Sequence, residues 1–159
     1  GDHVDPVNKL IPMSWDQRHT FNATAGYNTH NYGLTLTGYY NSGTPYTFTP
    51  VSTNPLASIH LLPNNDYKPS NYSVDLTGYY NIKLNNQISG RITFSIYNVF
   101  DRLNEYGVDG QTGRAYTAII LDYERAAFRS NFTNIEDSRQ DPSSYSTPRL
   151  VKIGLEINI

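Results

Sequence analysis

The chain of 159 residues has no cysteine, one methionine and one tryptophan, and no run of about 18 apolar residues. Without cysteine there is neither a disulfide scaffold nor a thiolate metal site, while the redox compartment stays open. Without a long apolar run there is no transmembrane helix, and the opening GDHVDPVNKL lacks the charged and apolar regions of a signal peptide. Charge is also scarce: 12 Lys and Arg stand against 14 Asp and Glu, a net charge of -2. That removes the electrostatic case for nucleic acid, and no nucleic-acid partner is expected. The sequence begins at Gly1 rather than Met, as expected of a processed protein or of a fragment of a longer one.

What is abundant is tyrosine, with 14 residues, set in segments that alternate apolar and polar side chains. In the last nine residues Val151, Ile153, Leu155, Ile157 and Ile159 alternate with Lys152, Gly154, Glu156 and Asn158. Residues 72–84, 88–98 and 32–41 repeat the pattern, and 18–27 carries a weaker form of it. A period of two puts one set of side chains on each face of a strand. The reading is therefore all-β, with antiparallel strands near 16–28, 32–42, 72–84, 87–100 and 148–159. Residues 115–128 (AYTAIILDYERAAF) fit either a strand extension or a short helix.

The connections alternate in length. Asn28 to Asn31 and Asn85-Asn86 are short turns, whereas 43–71 and 101–147 are long, Pro-, Asn- and Ser-bearing loops. A soluble β-sandwich that binds carbohydrate or protein through long loops would also alternate its faces. Strands of about ten residues, however, match the roughly 9 to 11 that a tilted membrane strand needs. Tyr32 and Tyr40 are eight residues apart, which is roughly 26 Å along a strand and about 20 Å along a membrane normal at a tilt near 40°. Short turns on one side and long loops on the other belong to outer-membrane barrels. Five strands cannot close, since the smallest such barrels have about eight, so further strands are expected to complete the wall.

The hexapeptide LTGYYN occurs at 36–41 and again at 76–81, but a further shift of forty residues reaches YTAIIL, so it is no repeating module. One copy is expected to ascend and the other to descend in a single antiparallel sheet. Each then contributes an apolar stripe with a tyrosine at either membrane interface, while Tyr39 and Tyr79 project to the opposite face.

The punctuation between strands is distinctive: Trp15-Asp16-Gln17-Arg18-His19, Ser42-Gly43-Thr44-Pro45-Tyr46, Asn98-Val99-Phe100-Asp101-Arg102 with Asn104, Thr112-Gly113-Arg114, and Pro148-Arg149. In order and spacing over residues 15–159 these motifs resemble the C-terminal end of TonB-dependent outer-membrane receptors, in forms common in Bacteroidetes-type bacteria. The resemblance implies the last five strands of a barrel of about 22 strands, filled by an N-terminal plug, in the outer membrane of a Gram-negative bacterium. It also implies energy from a TonB-type coupling protein acting on a segment absent here, and a possible surface lipoprotein as partner. The function implied is active uptake of a scarce nutrient such as an iron chelate, a vitamin or a glycan. The chain departs from the pattern in its last residue, Ile159, where such receptors commonly carry Phe.

No constellation for catalysis is present, and no enzyme activity, cofactor or metal is expected. His3, His19, His30 and His60 have no ligand spacing, and the neighbouring acids Glu136 and Asp137, or Asp2 and Asp5, read as solvated loop residues. Residues 101–114 carry oxygens that suggest calcium but miss the EF-hand pattern. The loop candidates for ligand contact are Tyr46, Phe48, Tyr67, Tyr106 and Arg114, because binding residues concentrate on loops carried by a rigid scaffold. Phe100 is expected in the outer aromatic girdle, with Asp101 and Arg102 among the headgroups and Arg149 at the outer rim. Asp75, Lys83 and Arg91 are expected to face a wet lumen.

Overall fold

A computed structural model describes residues 10–52, 61–83, 88–129, 134–139 and 141–158. His3, His60, Asp2, Asp5 and the Asn85-Asn86 turn lie outside the described residues. Five strands form one antiparallel sheet: β1 (Thr20–Asn28), β2 (Tyr32–Asn41), β5 (Asn71–Lys83), β6 (Ser89–Tyr97) and β7 (Leu150–Asn158). Each pairs with its neighbour in that order, leaving β1 and β7 at the edges. A two-stranded ribbon, β3 (Pro45–Tyr46) with β4 (Asp66–Tyr67), stands within the first long connection. The second long connection holds two short helices, α1 (Asp122–Ala127) and α2 (Ile135–Arg139), and a 3-10 turn at Pro142–Ser144. The ambiguity over 115–128 resolves to an irregular segment followed by α1.

The strands stop short of the alternation at several ends, for local reasons. β6 ends before Asn98 and Asp101, which adopt positive φ (54° and 53°), a conformation that Asn and Asp tolerate better than other side chains. Pro148, with no N–H to donate, stands just before β7. At the other end of the sheet the β1–β2 turn is closed by Thr29, whose N–H and hydroxyl both donate to the Tyr32 carbonyl, at 2.7 and 2.8 Å. Both long connections leave from one end of the sheet, the loop end, and the short ones from the other, the turn end.

The register aligns the side chains into two chemically distinct faces. Paired residues share a face, so Phe21, Tyr40 and Tyr72 form one row at the loop end, and Tyr27, Tyr32 and Tyr80 form a second toward the turn end. The Tyr27 and Tyr32 rings are 6.0 Å apart. Between the rows on the same face lie Ala23, Ala25, Leu34, Leu36, Val74 and Leu76, and the face continues through Ile92, Phe94, Ile153 and Leu155. The opposite face carries Thr24, Thr35, Thr37, Asp75, Thr77, Arg91, Thr93, Ser95, Lys152 and Glu156. The two strands that carry LTGYYN pair antiparallel, and the copies meet at Leu36 and Leu76, so the register is symmetric about that pair and sets Tyr32 against Tyr80 and Tyr40 against Tyr72.

Among the described residues nothing covers the apolar face, and the only other sheet, the two-stranded β3–β4 ribbon, makes no sandwich core with it. Ile153 is 79% exposed and Leu155 69%, and about a dozen large apolar side chains on this face are exposed with them. At about 1.5–3 kcal/mol for each such side chain, leaving them in water would forfeit on the order of 20 kcal/mol, more than the roughly 5–15 kcal/mol net stability of an ordinary domain. The buried residues lie elsewhere, chiefly in the loop base: Asn98, Asn104, Glu105 and Ala115. Among the described residues no helix is long and apolar enough to cross a membrane, which bears on helices alone.

Candidate functional site

The polar face and the loops meet at the loop end of the sheet, and the segment after β6 organises that junction. With Asn98 in its left-handed conformation the chain turns so that the Asn98 N–H donates to Asp75 Oδ1 at 2.8 Å and the Val99 N–H to the Val74 carbonyl at 2.8 Å. The Asn98 amide then donates to the carbonyls of Arg102 (2.9 Å) and Thr147 (3.1 Å) and accepts from the Arg102 N–H (3.0 Å). Asn104, 1% exposed, accepts from the Tyr72 N–H at 3.0 Å and donates to the Tyr72 carbonyl at 2.8 Å, extending the edge of β5 into the loop. Ser146 answers from the returning strand of the loop, its hydroxyl accepting from the Asn104 N–H at 2.9 Å. The motif singled out in the sequence is thus a clasp that ties the start and end of a long loop to the rim of the sheet.

Arg102 departs from its expected place among the headgroups. It turns inward, its guanidinium 4.3 Å over the Tyr72 ring and donating to the Ser70 carbonyl and Asn104, because those partners satisfy a planar cation more fully than an exposed rim does. Phe100 and Asp101 are exposed. Asp101 accepts from the Arg149 N–H at 2.8 Å and pairs with its guanidinium, and that N–H first, with the guanidinium charge, holds the carboxyl below its usual range.

Under this clasp lies an open cavity of about 340 Å³ on the polar face. Its walls come from four strands and the loop: Tyr39 of β2, Asp75 of β5, Tyr97 of β6, Lys152 of β7, and Tyr106 beyond the clasp. The Tyr39 and Tyr106 phenols interact with each other at this wall. Asp75 Oδ1 also accepts from the Ser73 hydroxyl, at 3.4 Å, and the Lys152 ammonium stands 5.2 Å over the Tyr97 ring. Three phenol rings, one carboxylate and one ammonium therefore face a shared space.

Of the five loop candidates, Tyr106 lines this cavity, half exposed. Tyr46 and Tyr67 lie in the β3–β4 ribbon, where the Tyr46 hydroxyl donates to Asp66 at 3.1 Å and Tyr67 lies beneath the Arg18 guanidinium. Burial, then the bond to Asp66, pushes the Tyr46 phenol above its ordinary pKa. Its ring also rests against Gly113, whose φ of +69° and lack of a side chain permit the approach. The Phe48 backbone is held by Asn65, with the Phe48 N–H donating at 2.6 Å. Arg114 is engaged internally: its guanidinium donates to Glu105 at 2.7 and 3.0 Å and stacks over Tyr116. Burial disfavours the Glu105 carboxylate, but Arg114 and the Ala115 N–H, donating at 2.6 Å, outweigh it and hold the carboxyl below its usual range. The five candidates thus spread over three places, the ribbon, the Glu105 ion pair and the cavity. A Lys68 ammonium donating to the Tyr106 carbonyl at 2.9 Å links the ribbon to the cavity.

Sequence reading did not single out Lys152 or Tyr97 as site residues; the alternation puts them on the polar face, and only the strand order brings them beside Asp75. Glu136 pairs with Arg125, and among the described residues no group of three His, Asp or Glu side chains is arranged to hold a metal ion. Comparison with models of known families, with curated proteins and with solved structures finds no match to this chain.

Proposed function

We propose that the chain forms the C-terminal part of the barrel wall of a TonB-dependent outer-membrane transporter, which takes up a scarce nutrient with energy coupled from the inner membrane. The observation that carries this reading is the uncovered apolar face between two aromatic rows, Phe21/Tyr40/Tyr72 and Tyr27/Tyr32/Tyr80. Lipid is the environment in which such a face is stable, and aromatic rows are what membrane interfaces select. The polar face opposite suits a wet lumen occupied by a plug. Two free edge strands call for further strands, because an open edge in lipid leaves backbone groups unpaired at several kcal/mol each.

In this reading the loop end is external, and the ribbon and the Asn98–Asn104 clasp shape the mouth. Substrate meets the loops and the upper lumen wall, and plug movement driven from the periplasm releases it inward. The test is gel mobility of the full-length protein in detergent, compared before and after boiling. A heat-dependent shift is expected of a closed barrel; identical mobility in both samples overturns the reading.

A further inference from the structure

We infer that the cavity at the loop end of the polar face binds a zwitterionic ligand of amino-acid or short-peptide type, an inference that rests on the transporter reading above. Asp75 and Lys152 line the same cavity with opposite charges, yet neither enters an ion pair among the described residues. Each is nevertheless held. The Asn98 N–H and the Ser73 hydroxyl both donate to Asp75 Oδ1, and Lys152 is drawn over the Tyr97 ring, a contact that orients the ammonium while leaving its charge unneutralised.

Two opposite charges that line one cavity without pairing are complementary to a ligand bearing both an ammonium and a carboxylate. A neutral sugar leaves both charges unanswered, an anion meets repulsion from Asp75, and a cation meets it from Lys152. Tyr39, Tyr97 and Tyr106 add apolar ring faces with polar tips, which suit the backbone and side chain of a peptide. A volume of about 340 Å³ is near the lower end of ligand pockets, roughly 300–1,000 Å³, and suits a small ligand. The charged groups stand on β5 and β7 rather than on loop tips, with Asp75 paired to Thr37 and Lys152 to Ser95, so their separation is set by the sheet.

The experiment is calorimetric titration of the full-length protein in detergent with dialanine, N-acetyl-dialanine, dialanine amide and maltose, each preparation first checked for heat-modifiable mobility. Dialanine is expected to bind, with either blocked form weaker by about tenfold or more and maltose giving no signal. Asp75→Asn keeps the acceptor for Asn98 and removes the charge; it should weaken dialanine by a similar factor and bind the free and acetylated peptides alike. Lys152→Gln should likewise bind the acid and the amide alike. The inference is overturned if a heat-modifiable protein fails to bind dialanine, binds the blocked forms equally well, or keeps its affinity in both variants. A preparation without the mobility shift overturns the barrel reading, and this inference with it.

Discussion

At Asn104 a single buried amide satisfies both backbone groups of Tyr72 and also accepts from Arg102, so its removal leaves several groups without partners in a place that water does not reach. At roughly 1–3 kcal/mol for each unsatisfied buried group, Asn104→Ala is expected to lower the free energy of opening the loop base by about 2 kcal/mol. Limited proteolysis between residues 101 and 149 should then run about 30-fold faster, while the mobility shift of the barrel remains. Glu105 gives a second expectation at this scale. Its folded carboxyl titrates below the ordinary value of 4.5, so the stability it contributes is full above about pH 4.5 and is lost as pH falls through the lower folded value. Pepsin cleavage within residues 106–129, normalised to the boiled protein, should rise as pH falls below 4.5, and Glu105→Gln should remove most of that dependence.

The individual roles of these residues were only partly legible in the sequence. Asn98, Asp101 and Asn104 stand in a motif visible by eye, but their hydrogen bonds reach Asp75, Tyr72, Ser146 and Arg149, partners 23 to 48 residues away for which no local pattern speaks. Arg114 stands among the loop candidates for ligand contact until Glu105 is seen 2.7 Å away.

Among the elements, β2 and β5 show what alternation conveys and what it leaves open. The LTGYYN copies were readable as antiparallel within one sheet, because one strand ascends and the next descends, and the register then sets Tyr32 against Tyr80 and Tyr40 against Tyr72. Glycine placement depended on register: Gly78 lies opposite Phe94, and a Cβ added there would stand 2.5 Å from the ring and 2.9 Å from the Gly33 carbonyl. Gly78→Val is therefore expected to push the Phe94 ring off the sheet and to cost about 1–3 kcal/mol through overpacking, read as a lower urea midpoint for loss of the compact band. The loops were less legible than the strands. Period two marks a strand because every second residue meets the same surroundings, whereas α1, α2 and the β3–β4 ribbon are short and held by individual side-chain contacts such as Arg125 with Glu136 and Tyr46 with Asp66.

On the scale of the whole molecule, the membrane-facing wall requires one side of the sheet to meet lipid and the other the lumen, and a pair of substitutions on β6 distinguishes the sides. Ile92→Arg puts a charge on the apolar face at a cost of roughly 2–4 kcal/mol if that face lies in the bilayer, while the adjacent Thr93→Arg faces the lumen and should leave urea stability nearly unchanged. The most direct measurement uses the absence of cysteine from this chain: a nitroxide is attached to single cysteines placed in turn at 151 through 157 of β7, in the full-length protein in lipid bilayers. Labels at 151, 153, 155 and 157 are expected to collide with oxygen and to be shielded from a water-soluble nickel relaxant, with the order reversed at 152, 154 and 156. Equal exposure of both sets to the nickel relaxant, or shielding of 153 and 155 from both reagents as in a covered protein core, would contradict the membrane-facing wall.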